Sequence, residues 1–320
     1  MRKAILGVTM AIGLGTAALA ADRPVVKPFT PPPPAGPQYF LWIEGGYSHF
    51  DLARTHAFDV GPASPRDPVF FDLDDGWYGR GEAGFVPARR LGWIDAVSLF
   101  IGYRSGSADE RAGGNGVAIA YQTPAQISTS ERLPGAATAD QDFDLFDIQL
   151  RLKHAPAAWP GLTVNVEPFF ARARQDVSAS VTPDFQKRTA RIEGDVYGVQ
   201  GAIEGRRAWT DRITLRGRAS LGAYYTNADG DFTFRPFADS SDSYSRDFGG
   251  VRAGAEVGLD FAIAPSLMLG VTAGVDYWSK MPTARLTEIG APAGPNLGIN
   301  ISSFTDYFVG ARLTFVTGAR

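Results

Sequence analysis

The chain contains no cysteine in 320 residues, which excludes a disulfide framework, thiolate chemistry and cysteine-held zinc. Histidine is scarce, with only His49, His56 and His154, so histidine-centred catalysis and metal binding have few places to form. Long apolar runs are missing as well. Beyond the first twenty residues nothing approaches the roughly 18 uninterrupted apolar residues of a spanning helix, which excludes a helical inner-membrane protein. Neither sign of charge dominates: 31 Lys and Arg face 34 Asp and Glu, the net charge is −3 and the pI is near 5.7. That leaves no basic footprint for nucleic acid. A mean hydropathy of −0.10 with 44% hydrophobic residues resembles a soluble protein. A β-barrel in a membrane gives the same values, because half of each strand faces away from lipid.

What is present is alternation. In Thr305 to Phe315, the residues Tyr307, Val309, Ala311, Leu313 and Phe315 share one face, while Asp306, Gly310, Arg312 and Thr314 share the other, with Phe308 as the exception. Similar stretches occur near 38–51, 76–87, 95–106, 142–154, 161–174, 192–205, 212–226, 248–262, 266–279 and 303–316. Almost no helical pattern is available to cover so many apolar faces, and lipid is the remaining partner. The expected fold is therefore all-β, a transmembrane antiparallel up-and-down barrel of about ten strands, with eight or twelve as the neighbouring even counts. Short connections near 88–94, 155–160, 206–211 and 263–265 alternate with long ones near 52–75, 107–141, 175–191, 227–247 and 280–302. This places both termini and the short turns in the periplasm and the long loops outside. Trp93, Trp159 and Trp209 fall in three of the short turns, where an aromatic belt belongs. A soluble sandwich or lipocalin-like barrel would turn its apolar face inward and would not carry charge on the opposite face of nearly every strand.

The N-terminus fits export. Arg2 and Lys3 precede an apolar stretch from Ala4 to Thr16, and Ala18-Leu19-Ala20 forms an A-x-A cleavage site, so residues 1–20 are expected to be a signal peptide. Residues 21–37 hold a Pro-rich periplasmic segment, RPVVKPFTPPPPAGP from Arg23 to Pro37, expected to be an extended spacer. The barrel then occupies 38–320. The expected location is the outer membrane of a Gram-negative bacterium. Expected partners are outer-membrane lipids, lipopolysaccharide and the barrel-assembly machinery, with an oligomer possible.

The polar faces must then enclose the lumen. They place there Arg80, Glu82, Asp147, Arg151, Glu167, Glu204, Arg216, Arg218, Arg252, Glu256, Asp260, Asp276 and Arg312, with both signs in similar numbers. Opposite charges on neighbouring strands should pair, with Glu204 near Arg216 or Arg218 and Glu256 near Arg218. Small inward residues, among them Gly84, Gly102, Gly198, Ser220, Gly222, Gly254, Gly258, Gly270, Gly274 and Gly310, could leave a file of water beside them. The expectation is a porin-like narrow pore for ions or small solutes lined by those charges. The alternatives are a plugged structural or adhesive barrel and, at a distance, an omptin-like protease. His49 with Asp74 or Asp75 is the one pair that could serve the protease, and no enzyme is expected. Asn227 to Phe232 (NADGDF) lacks the bidentate Glu of a calcium loop, so neither metal nor cofactor is expected.

Gly194–Trp209 (GDVYGVQGAIEGRRAW), Arg218–Ala223, Val257–Tyr277 and the closing strand resemble the Legionella-type major outer membrane proteins. More broadly they resemble proteobacterial surface-antigen barrels with a Pro-rich mature N-terminus. The resemblance implies a pore-forming outer-membrane barrel and brings no catalytic residues with it.

Overall fold

The computed structural model describes residues 37–52, 55–60, 67–71, 73, 75–122, 128–181, 186–235, 240–286 and 297–317. The predicted signal peptide, all but the last residue of the Pro-rich segment, and Asp74 lie outside them. Twelve strands follow in order: β1 Gln38–Leu52, β2 Thr55–Val60, β3 Asp67–Phe71, β4 Asp75–Val86, β5 Ala96–Gln122 and β6 Ser128–His154, then β7 Leu162–Val181, β8 Gln186–Ala208, β9 Ile213–Arg235, β10 Ser240–Ala264, β11 Leu267–Leu286 and β12 Leu297–Val316. Ten of them close an antiparallel up-and-down barrel in sequence order, sealed where β1 pairs with β12, and β2 and β3 form a separate hairpin between β1 and β4.

The outer wall is apolar. Leu41, Ile43, Leu99, Ile101, Val199, Ile203, Leu221, Val257, Val271, Val309 and Leu313 are exposed. In a soluble protein so continuous a band would be an aggregation surface; here it is the lipid face. From Tyr307 to Phe315 it runs about 27 Å along the strand, or about 20 Å along the membrane normal at a tilt of ~40°. Aromatic residues bound it at both ends. Tyr39, Trp93, Trp159, Trp209 and Phe315 mark the side of the short turns; Tyr47, Trp77, Tyr197, Tyr225, Tyr277 and Tyr307 mark the other.

The strands do not stop at that second girdle. The segments expected as long loops are largely strand: β5 and β6 pair as far as Gln122 and Ser128, and β8 with β9 as far as Lys187 and Arg235. The interior of the barrel end imposes this. Once lipid no longer dictates the outward residues, the ladder continues through Asp, Ser and Gly residues whose sequence lacks a simple apolar alternation. Asn227 to Phe232 is one such stretch, a paired segment of β9 rather than a calcium loop.

The polarity of the two faces reverses at the girdle. On β6, Ile148 and Leu150 face lipid while Asp147, Gln149 and Arg151 are buried in the lumen; above them Phe143 and Leu145 are buried and Asp142 and Asp144 face outward. Neighbouring apolar pairs mark the reversal on seven strands: Trp77-Tyr78, Leu145-Phe146, Phe169-Phe170, Val196-Tyr197, Tyr224-Tyr225, Tyr277-Trp278 and Tyr307-Phe308. One member faces the bilayer interface and the other faces inward. This explains why Phe308 departs from the alternation of its strand.

Candidate functional site

All thirteen lumen residues read from the sequence point inward, and none of their side chains in ion pairs is more than 17% exposed. They form three connected groups at the level of the lipid-facing band.

In the first, Arg151 and Lys153 each reach Glu82 at 2.6 Å, and Trp42 Nε1 and Ser98 Oγ donate to the same carboxylate. Arg218 joins Glu167 at 2.5 Å to Glu204 at 2.8 Å. In the second, Glu44 accepts from Arg80 and Arg312, both at 2.6 Å, from Tyr78 at 2.8 Å and from Thr272 at 3.0 Å. Arg80 also reaches Glu256 at 2.8 Å, while Arg216 bridges Glu256 and Asp260. In the third, Arg252 joins Asp147 at 2.7 Å to Asp276 at 2.8 Å, and Arg104 joins Asp276 to Asp306. Guanidinium groups lie against rings: Arg312 is 3.8 Å from the Trp42 centroid, Arg151 4.1 Å from Phe100 and Arg252 4.2 Å from Trp278.

Of the expected pairs, Glu204 with Arg218 forms. Glu204 does not pair with Arg216, which turns instead to Glu256 and Asp260. Glu256 and Arg218 are direct cross-strand partners, yet Arg218 is drawn to Glu167 and Glu204 and Glu256 to Arg80, Arg216 and Arg312. Sequence reasoning left Glu44, Arg104, Lys153 and Asp306 out of the lumen set. Lys153 and Asp306 share the alternation parity of Arg151 and Arg312 on their own strands and Arg104 that of Gly102, and that parity was the available signal; Glu44 stands on β1, from which no inward residue had been read.

Several of the inward glycines are filled by neighbouring side chains. A Cβ at Gly84 would fall inside the Phe40 ring, one at Gly198 against Phe169, one at Gly270 against the Asp260 carboxylate, one at Gly310 on the Tyr78 hydroxyl. At each of these four a neighbouring side chain lies in the space a Cβ would need, whereas the nearest atom to a Cβ at Gly254 is Ser220 Oγ at 3.0 Å, and both residues border the central cavity. This cavity lies at the centre of the network, bordered by Arg80, Arg104, Arg252, Glu256 and Asp276.

Above the charges lies an apolar roof. Phe50, Phe143 and Phe304 stack on one another at 5.0 to 6.1 Å, and Trp278 packs between Phe169 and Tyr224. Leu73, Leu145, Val196 and Met281 complete this layer. A second apolar cluster, with Val177, Ile192, Phe232, Phe248 and Ile299, continues outward.

The outer arm of β11 and β12 closes the mouth. The β10–β11 ladder ends at Arg252 opposite Trp278, although β10 runs on beside β9 and β11 beside β12. A bulge between Trp278 and Met281 turns the arm inward, and Met281, Pro282, Thr283 and Ala284 are all buried. Side chains from β7, β9 and β10 replace the missing ladder. Tyr224 Oη accepts from Lys280 N at 3.0 Å and donates to Lys280 O, Ala284 N donates to Gln175 Oε1 at 2.7 Å, and Arg246 Nη1 donates to Ile299 O at 3.1 Å. Pro282 lies over Gly194, where a Cβ would meet it at 2.7 Å.

His49 stands apart from the lumen. It is on the outward parity of β1, with Nδ1 3.4 Å from Asp75 Oδ1, and both side chains are largely exposed. A hydrogen bond from Tyr47, which outweighs desolvation and is helped by a weaker one from His49, holds the Asp75 carboxyl below its usual range. Among the described residues no group of His, Asp and Glu is arranged to hold a metal ion.

No family model matches the chain, and no curated protein matches it. Solved structures do match. The outer membrane protease OmpT from Escherichia coli superposes with a TM-score of 0.50 at 9% identity, over 88% of this chain and 97% of that one. The translocator domain of the autotransporter NalP from Neisseria meningitidis gives 0.41 at 10% identity over 88% of each chain, and the Pseudomonas putida toluene transporter TodX 0.30 at 8% identity over 89% and 90%. At these identities the likeness is one of fold: the chain has the architecture of the outer-membrane β-barrels.

Proposed function

We propose that the protein is an outer-membrane surface barrel with a sealed lumen, acting through its extracellular strand extensions and not as a conduit. One observation carries the reading: two unlike layers fill the barrel in series. A solute would have to pass an apolar roof closed by the β11–β12 arm and then a bed of buried ion pairs. Neither layer yields cheaply. Opening the lower one strips charges of their partners at several kcal/mol each, and opening the upper one exposes packed aromatics to water. This favours the plugged alternative over the narrow pore expected from the alternation and from the family resemblance.

The exposed apolar band with its two girdles supports insertion among outer-membrane lipids, with lipopolysaccharide against the outer half and the barrel-assembly machinery required for insertion. A protease reading receives no support from His49 and Asp75, which stand on the outer wall instead of lining a cleft, so we assign no enzymatic activity. Planar-bilayer recording tests the proposal. Purified, folded protein should show no discrete conductance steps, whereas removal of 279–303 together with neutralisation of Arg252 and Asp147 should give them. Regular steps from the unaltered barrel would refute the sealed lumen.

A further inference from the structure

The periplasmic end of the lumen is electrostatically unlike its centre. Arg206 on β8 stands directly opposite Arg216 on β9. Like charges placed across a ladder on one face destabilise a sheet. Arg216 is satisfied on its inner side by Glu256 and Asp260, but among the described residues Arg206 has no carboxylate within ion-pair distance. Arg312, with its side chain only 4% exposed, has one guanidinium nitrogen, Nη2, that is buried without a hydrogen-bond partner; it stands 3.7 Å from Glu256 Oε1. Arg206, Arg216, Arg218 and Arg312 border one recess at this mouth, with Arg151 and Lys153 beside them. Against these cations the recess offers Glu82, Glu204 and Glu256.

We propose that this recess binds a small oxyanion, a phosphate or a carboxylate group presented from the periplasm. The chemistry follows from the donors. Guanidinium forks fit two oxygens of a phosphate or carboxylate at once, and such charge-assisted bonds are among the stronger polar contacts. A cation would meet the unpaired Arg206 first. A neutral solute would leave the Arg206–Arg216 opposition unrelieved. An oxyanion seated between them removes the repulsion.

The experiment uses the full-length barrel, folded in a maltoside detergent that carries no phosphate. Sodium phosphate, sodium acetate and sodium chloride are titrated at constant ionic strength by calorimetry, with the thermal unfolding midpoint followed in parallel. Phosphate or acetate should bind saturably and raise the midpoint, while chloride should do neither. Phosphate binding tighter than acetate points to a phosphorylated ligand, and the reverse order to a peptide or polysaccharide carboxylate. Arg206→Gln should weaken binding by about tenfold or more, as loss of one charge-assisted donor implies, while Arg206→Lys should retain most of it. Arg89→Gln, on an exposed periplasmic turn, should bind as the unaltered protein does. Absence of saturable heat with both oxyanions, or an unchanged isotherm in Arg206→Gln, would overturn the proposal.

Discussion

Arg252 offers the sharpest test of whether the lumen is held by its ion pairs. It is buried, joins Asp147 at 2.7 Å to Asp276 at 2.8 Å, and lies 4.2 Å from the Trp278 ring. Asp276 has a second cation in Arg104 at 3.0 Å, whereas among the described residues Asp147 has only Arg252 and the Gln149 amide. Arg252→Met therefore leaves one fully buried carboxylate without its cation and one still paired. Uncompensated burial of that kind costs about 3–5 kcal/mol. Lost ring contact adds about 0.5–2 kcal/mol, partly restored by the methionine side chain. Adding Asp147→Leu removes the stranded charge, and replacing a buried pair by apolar residues is often close to neutral, so the double variant should recover roughly 2–4 kcal/mol relative to Arg252→Met. Unfolding midpoints in urea, followed by tryptophan fluorescence and by the mobility of unheated protein on a gel, report both changes. The coupling is read from the double-mutant cycle. A cost below about 1 kcal/mol for Arg252→Met, or a double variant as damaged as the sum of the singles, would refute the reasoning, because the charges would then be reached by water.

Gly194→Val should push Pro282 and the arm out of the mouth at a cost of about 1–3 kcal/mol, seen as faster hydrogen exchange over 279–303; unchanged exchange would show that the arm does not rest there. Asp142, above the outer girdle, has its carboxyl raised by partial desolvation and then by Asp144, Asp176, Asp109 and Asp140. A raised folded value means that the ionised form destabilises the folded state. Asp142→Asn should therefore stabilise the barrel at neutral pH, with the gain fading as pH falls through the raised folded value toward the ordinary aspartate range; a gain that grows on acidification would reverse the sign. Single-tryptophan variants keeping Trp93, Trp159 or Trp209 should be quenched more by lipids brominated near the headgroup than at the chain ends, and equal quenching at both depths would misplace the girdle. An epitope tag beside Ser241 should be detected on intact cells, and detection only after permeabilisation would invert the barrel.

The barrel was legible because a bilayer is a uniform solvent. Along Ile148, Leu150 and Leu152, or Val309, Leu313 and Phe315, one face must be apolar at every second position, and that constraint alone fixes the strand, its lipid side and the membership of its lumen side. Ten strands and the inward placement of all thirteen predicted charges follow from counting alternations. Pairing was less legible. Arg218 has Glu204 and Glu256 opposite it on its two neighbouring strands, but its guanidinium reaches Glu204 and, two strands away, Glu167. Long side chains in a narrow tube choose partners across the lumen as readily as along the ladder, and a one-dimensional pattern carries no information about that choice.

The outer extensions were hidden for a different reason. Above the girdle no medium demands apolar residues on the outer face, so Asp176, Ser178 and Ser180 can alternate with Val177 and Ala179, and the stretch looks like a polar loop interrupted by small residues. The reversal itself is written in the chain, as two adjacent apolar residues where strict alternation allows one. Tyr224-Tyr225 and Tyr277-Trp278 show what the doublet does: Tyr225 and Tyr277 stand at the lipid interface, while Tyr224 and Trp278 turn inward and pack on each other at 5.3 Å. A barrel open to solvent would gain nothing from apolar groups inside its outer end. The doublets therefore argue that a roof, as well as a wall, was built into these strands, and that the charges beneath it are kept from the outside by the same residues that set the barrel's depth in the membrane.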